Sequence, residues 1–501
     1  MSTTQRLGKR GRFSRVSRRE LSIALSCGVV CLFVVIYFFN LINNITLLLS
    51  IALSLLCVVP LVHARYHKTI DMFEIIYPFS AYFFIGFPLR ALLIYHEPLQ
   101  LRMANAIPYS YYLDYLDTAL VYMIIGFSTF LIGYYSRISK HIVQLIPKPL
   151  FLESQNISVS KVMLVFLFGC VFRVISLELG YGFFRTLHSD LLKVTGSLNY
   201  YLLAFGDFAL YGTFLIAAIH YMNLSRSKSL KALLWCLLIP LDIFYGLVFV
   251  GKKQLIVPLL VVIMAINYFK RKIGIKKLAI VFIIIVFIIF PVINFYRASF
   301  SRIGLKNPES FSAVGYNLEK IYSNLSAMPF SDYMVLSIFY LCNRNTAIDN
   351  VAAAIKFTPQ VRDFQYGKYW ALIPALAFVP RAIWKNKPDI NYSVGFGEDY
   401  LGHTSGVAWG TTNPGDFYMN FGVLGIFFGM FVLGVLFKIL YRYFVDVEEP
   451  KPLKIFIYAF LMFQMINGFE GNIVAIYSAV LKTLLFIVLI ALFVKGRRVS
   501  G

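Results

Sequence analysis

Apolar stretches of about 20 residues recur along this chain, separated by short polar segments, and no other feature narrows its possible folds so far. A run of that length suits an α-helix crossing a bilayer, whereas a membrane-spanning strand alternates over about 10 residues. The runs lie at roughly 20–42, 44–64, 72–95, 114–135, 159–179 and 198–221, then 231–250, 254–269, 278–296, 421–441, 454–470 and 473–494. Only 14% of the 501 residues are charged, against about 25% in a water-soluble domain. Mean hydropathy is +0.72. The expected fold class is an all-α polytopic membrane protein with about 12 transmembrane helices.

The net charge of +23 has the size of a nucleic-acid signal. Its distribution points elsewhere, because the cations cluster between apolar runs as the positive-inside rule requires. One set of loops holds Arg65 and Lys68; Arg137, Lys140 and Lys148; Arg226, Lys228 and Lys231; "KRKIGIKK" (270–277); Arg442, Lys451 and Lys454; and "KGRR" (495–498). The alternate loops 40–44 and 468–472 hold no Lys or Arg, and 96–113 holds only Arg102. Both termini are therefore expected in the cytoplasm, with no nucleic-acid partner. The Arg-rich start reads as a tail before an uncleaved first span, since no small-x-small cleavage site follows. The organisation expected is a basic cytoplasmic tail at 1–19, nine spans in 20–296, a large extracytoplasmic loop at 297–420, three spans in 421–494 and a tail at 495–501.

The long loop is rich in apolar and aromatic residues, so it should be structured. "NTAIDNVAAAIK" (345–356) has helical spacing, and "YWALIPALAFVPRAIW" (369–384) reads as a re-entrant or membrane-surface helix between Trp370 and Trp384. "EDYLGHTSGVAWGTTNPGDFYMNFG" (398–422) reads as loop. "GKKQ" (251–254) reads as a tight outward turn. The six cysteines form no C-x-x-C pair, which indicates neither a disulfide framework nor zinc.

The chain has no Walker P-loop, no dinucleotide-binding fingerprint, no H-E-x-x-H and no D-x-D in an expected outer loop. No metal or other cofactor is expected. What remains is a group of outward cations beside a membrane: Lys252, Lys253, Arg344, Arg381, Lys385 and Lys387. Such groups bind phosphate oxygens, Arg bidentately and Lys as a point charge. Glu398, Asp399, His403 and Asp416 could each act as a general base; His403 is the histidine of the long outer segment. Charges inside spans are costly. Arg90 and Arg173 lie toward outer ends, where they either line an outward cavity or pair with carboxylates to fix helix packing.

The segments "VRDFQYGKYWALIPALAFVPRAIWKNKP" (361–388), "HTSG" (403–406) and "PGDFYMNFGVLG" (414–425) together resemble the Wzy-type oligosaccharide repeat-unit polymerases, in particular the enterobacterial common antigen branch. "GFPLRALLIY" (86–95), "VGKKQLIVPLL" (250–260) and "FYLCNRNTAIDN" (339–350) agree in order. The resemblance implies a GT-C-like fold in the bacterial inner membrane. It implies a metal-independent, inverting transfer of a growing glycan from undecaprenyl pyrophosphate onto a lipid-linked repeat unit at the outer face. Its partners would be that lipid-linked oligosaccharide, membrane lipid and a chain-length regulator. Carried onto this chain, Arg344 and Arg381 hold the pyrophosphate with Lys252, Lys253 or Lys387, and His403 or Asp416 takes the acceptor proton. Relatives often have Arg where Lys252 and Lys253 stand. An O-antigen ligase and a flippase for lipid-linked sugars are the competing readings.

Overall fold

A computed structural model describes residues 45–67, 71–96, 113–179, 189–222, 228–249, 252–285, 287, 311–334, 337, 346–379, 383–388, 393–401, 409–445 and 449–496. Its named elements are all helical. They are α1 (Ile45–His67), α2 (Ile76–Phe84), α3 (Arg90–His96), α4 (Leu116–Tyr135), α5 (Ile138–Leu145), α6 (Val159–Glu178) and α7 (Ser189–Tyr221). Next come α8 (Lys228–Leu233), α9 (Ile239–Phe249), α10 (Lys252–Phe269), α11 (Ile275–Ile284) and α12 (Phe311–Ser326). The rest are α13 (Ala347–Phe357), α14 (Ile373–Phe378), α15 (Ser393–Leu401), α16 (Asn413–Phe444), α17 (Pro452–Gly468) and α18 (Ile473–Val494). Among the described residues, eight helical stretches are long and apolar enough to cross a membrane, and Gln254–Phe269 and Pro452–Gly468 are shorter apolar helices. The chain is a helical, multi-pass membrane protein. The expected first span lies outside the described residues, as does most of the ninth beyond Ile284.

Proline shapes two of these spans. A π turn at Ile85–Leu89, containing Pro88, joins α2 to α3; another at Leu234–Leu238 joins α8 to α9 just before Pro240. Proline has no N–H and its ring crowds the carbonyl four residues back, so a wider turn is the local solution. Small residues set the closest helix contacts. A Cβ on Gly434 would lie 2.2 Å from the Phe130 carbonyl, and one on Gly169 would lie 2.0 Å from the Ala209 nitrogen. Backbones of α4 and α16, and of α6 and α7, thus touch, which is how helices associate where water offers no hydrophobic drive. Phe79 fills the centre of one bundle, with Phe83, Phe127, Phe130, Phe437 and Phe469 at ring-centroid distances of 4.5–6.3 Å.

The end of the bundle that carries the 65–71, 136–158 and 445–454 connections is tied by a polar knot. Asp71 accepts from the Tyr268 and Tyr441 hydroxyls, at 2.8 and 2.9 Å, and from the Phe73 N–H at 3.1 Å. Glu74 accepts from Lys438 Nζ at 2.6 Å and from the Tyr134 hydroxyl. The Tyr458 hydroxyl donates to the Phe73 carbonyl at 2.6 Å. Helices α4, α10, α16 and α17 therefore meet on residues 71–74, just before α2. The opposite end, built from 346–412, is called the loop end below.

One expected boundary is corrected. The tenth run stands as the arm beyond the break at 421–422, but residues 413–420, expected as loop, are helical as well, so α16 starts at Asn413 and Asp416 belongs to a helix, not a loop. Pro414 favours a first helical turn and Thr412 caps it, its Oγ1 accepting from the Gly415 N–H at 3.2 Å. Helical geometry breaks at Phe421 and Gly422 (φ +62°), a conformation glycine adopts without penalty. Beyond the break the two arms lie against each other. A Cβ on Gly429 would sit 2.5 Å from the Phe417 ring, and one on Gly425 2.1 Å from the Phe417 carbonyl. In a straight helix residues 417 and 429 would be about 18 Å apart. The arm 413–420 therefore folds back over 423–444.

Candidate functional site

The break in α16 frees the carbonyls of Met419 and Asn420, which in a membrane must find donors. They find them in residues 365–367, just before the 369–384 segment expected to be re-entrant. Gln365 N–H donates to Met419 O at 3.1 Å and Tyr366 N–H to Asn420 O at 3.2 Å, while Gly367 N–H meets Asn420 Oδ1 at 2.9 Å. The 366–372 turn leads into α14, which packs along α18. Trp370, expected at the interface, therefore faces the folded-back arm: it lies 5.8 Å from Phe417 and 5.5 Å from Phe421, ring to ring.

Between these parts runs a cavity of about 860 Å³, lined by Phe364, Tyr366, Trp370, Phe421, Phe428 and Tyr477 among others. It follows α16 from Phe421 to Leu436, about 22 Å at the helical rise. One leaflet of hydrocarbon is about 15 Å thick, half the bilayer core, so the groove is long enough to take an extended aliphatic chain through a leaflet. Leu424, Phe428 and Val432 on its rim are 60–63% exposed, so it opens sideways, where lipid would lie.

Asp416 lies beside one end of this apolar groove without lining it. Its neighbours Phe417, Trp370 and Ile473 all line the groove. It is 5% exposed. Its Oδ2 accepts from the Ile473 N–H at 3.0 Å and its Oδ1 from Asn420 Nδ2 at 3.4 Å. The carboxylate thus sits on the N-terminus of α18, where the helix dipole favours negative charge. Asn472 caps the same terminus through the Ala475 N–H at 2.7 Å. The strand of chain before α16 is held to that hairpin too, with Thr412 N–H on Glu470 O at 3.0 Å. Thr412 has φ +63° and ψ 157°, a region nearly confined to glycine.

A family model described as a domain of unknown function, DUF8712, matches residues 181–491. The chain belongs to this family. No curated protein and no solved structure matches the chain. The DUF8712 region takes in α16, most of α18, the groove and every expected phosphate-binding cation.

Within that region, Arg344, Arg381 and His403 lie outside the described residues. Lys252 and Lys253 form the first turn of α10 rather than a free turn, and their side chains lie outside the description. Lys387 is 9% exposed and donates to the Val379 carbonyl at 2.8 Å; Lys385 and Glu398 are exposed. Asp399 pairs with Arg362, which ties α15 to the end of α13. Beside that pair, burial pushes the Tyr400 phenol above its ordinary range, partly offset by the Thr358 hydroxyl 3.1 Å away.

Neither span arginine lines the groove. Arg90 is fully buried and grips Asp349 with two bonds of 3.0 and 3.3 Å. Asp349 opens the helix α13, so this pair anchors the loop end on α3. Arg173 is buried against Asp242, the Gly206 carbonyl (3.0 Å) and the Tyr245 ring (4.5 Å). These are the pairing roles rather than the cavity roles.

Sequence reasoning did not single out Asp349, Asn350 or Lys482. Asn350 Nδ2 donates to Gly410 O at 2.6 Å, beside the strained Thr412. Lys482 stands inside the last apolar run, and a cation at membrane depth was the available signal.

Proposed function

We propose that the chain is a Wzy-type glycan polymerase of GT-C-like architecture. It would transfer a growing glycan from undecaprenyl pyrophosphate onto a lipid-linked repeat unit at the outer face of a bacterial inner membrane. The observation that carries this reading is the groove: an apolar channel, open to lipid, lined in part by Phe364, Tyr366 and Trp370 of the segment on which the resemblance rests. A prenyl tail fits its length and chemistry, and the cations of 380–388 would then lie near the diphosphate.

In the reaction, the acceptor hydroxyl oxygen attacks C1 of the donor glycan and the C1–O bond to the diphosphate breaks. The electron pair leaves with undecaprenyl diphosphate, and the hydroxyl proton passes to a base. Charge grows on the departing phosphate, so Arg381 and Arg344 would bind the transition state better than the ground state. Asp416 already has both oxygens engaged on the α18 terminus and Asn420. The reading therefore gives the base to His403 and a positioning role to Asp416.

The polar knot of Asp71 and Glu74 favours an enzyme over a flippase, which would have to open that end and break four hydrogen bonds between this segment and α4, α10 and α16. The test is reconstitution with lipid-linked repeat units. Ladders of repeats are expected, with none from Arg381→Ala although that variant inserts normally. Attachment of finished chains to a lipid core would make the protein a ligase; no product at all from the unaltered protein removes the reading.

A further inference from the structure

A second cavity, of about 260 Å³, lies away from the groove, among α10, α11, the start of α9 and the π turn before it. Its lining is entirely apolar and includes Trp235, Ile239, Ile263, Ile266 and Val281. Along α10 the lining runs from Ile256 to Ile266, about 15 Å at the helical rise, which is the depth of one hydrocarbon leaflet. Trp235, Leu259 and Ile284 in that lining are 37–45% exposed, so the cavity opens sideways, where lipid would lie. Each wall ends in a lysine. Lys231 stands four residues before Trp235, Lys270 four after Ile266 and Lys277 four before Val281. Residues four apart share a helix face, and Lys270 is still on the α10 ladder, its N–H donating to the Ile266 carbonyl at 3.0 Å. Because α8 and α11 leave the end at which α10 arrives, the three lysines stand at one end of the cavity. It is the knot end, since Lys270 follows Tyr268, which bonds Asp71. Lys270 Nζ lies 5.4 Å from the Tyr221 ring at the end of α7. All three lysines are exposed, and among the described residues none is paired with a carboxylate. The positive-inside rule asks for cations in these connections; it does not ask for one on the cavity face of every wall.

We propose that this cavity takes an acyl chain of an anionic phospholipid whose phosphate rests among Lys231, Lys270 and Lys277. The ammonium groups act as point charges on the phosphate oxygens, while the lysine stems lie along the apolar rim. Trp235, one turn from Lys231, stands at the boundary between chain and headgroup, where an indole is most at ease. A zwitterionic lipid could fill the cavity equally well, but its own cation would face three others. The charge pattern therefore selects a lipid with net negative charge. The site is built on other helices than the groove and does not depend on the polymerase reading.

The test is tryptophan fluorescence of the full-length protein in phosphatidylcholine vesicles, to which phosphatidylglycerol with brominated, indole-quenching acyl chains is added. The part of the quenching that disappears in Trp235→Phe reports this cavity. That part should saturate at a much lower mole fraction of brominated phosphatidylglycerol than of brominated phosphatidylcholine, and high salt should narrow the gap. Lys270→Gln should weaken the preference about fivefold, and glutamine at all three positions about 100-fold in low salt. Arginine at the same three positions should keep it. If the triple glutamine variant does not insert, Lys270→Gln decides alone. Equal saturation by the two lipids makes the cavity an ordinary lipid boundary and overturns the proposal. So does a preference that survives the glutamine substitutions. An absence of Trp235-dependent quenching by either lipid means that protein covers the cavity, and overturns it as well.

Discussion

At the scale of single residues, the loop end depends on polar groups that have been withdrawn from water and matched. Arg90 and Asp349 are the plainest case, with side chains 0% and 1% exposed. Removing one partner of such a pair costs about 3–5 kcal/mol because the other charge is left buried, whereas replacing both with apolar groups is often neutral. Arg90→Met should therefore lower the melting temperature sharply, and Arg90→Met with Asp349→Leu should recover most of it. Thr412 makes the opposite prediction. Its backbone occupies a region that costs on the order of 1–3 kcal/mol outside glycine, while exchanging Thr for Gly at a helix cap costs only a few tenths. Thr412→Gly should stabilise the protein by about 1 kcal/mol in denaturant titration. If it also lowers activity, the strain is being used to aim the 409–412 strand. Asp416→Ala strands the Ile473 N–H and should destabilise by about 1–3 kcal/mol; Asp416→Asn keeps an acceptor there and should cost less.

At the scale of elements, the folded-back α16 decides the shape of the groove, and it can be tested without any assay of function. A cysteine pair at positions 417 and 429 should form a disulfide on mild oxidation, because bridged Cα atoms must lie within about 7 Å. A straight helix would keep them about 18 Å apart. The sequence made most elements legible. Those of the twelve apolar runs that fall on described residues are helical, and so is the separate loop helix expected at 345–356, observed as Ala347–Phe357. The fold-back was not legible. Gly, Asn and Pro crowd 410–422 and signal irregular chain, but the same residues also serve as a helix cap, a first turn and a break. Which of these they become depends on partners far away, such as Ile473 and the 365–367 segment.

At the scale of the whole molecule, pairing between distant residues is what the sequence concealed. Arg90 and Asp349 are 259 positions apart, and Lys438 and Glu74 are 364 apart; no spacing rule joins them. Charges inside apolar runs marked where such pairs would occur without saying with whom. Lys438→Met should leave Glu74 with one neutral donor and lower stability by about 3–5 kcal/mol. The loss should come with closer access of thiol reagents to cysteines introduced near residue 71. The joint between the break in α16 and the 365–367 turn has a different character. Its two principal bonds run from amide to carbonyl, so the identity of the side chains at 365 and 366 hardly matters to it. An imino acid is the exception: Gln365→Pro would delete one clasp outright. An evolutionary tally of side-chain types would pass over this backbone clasp beside the groove.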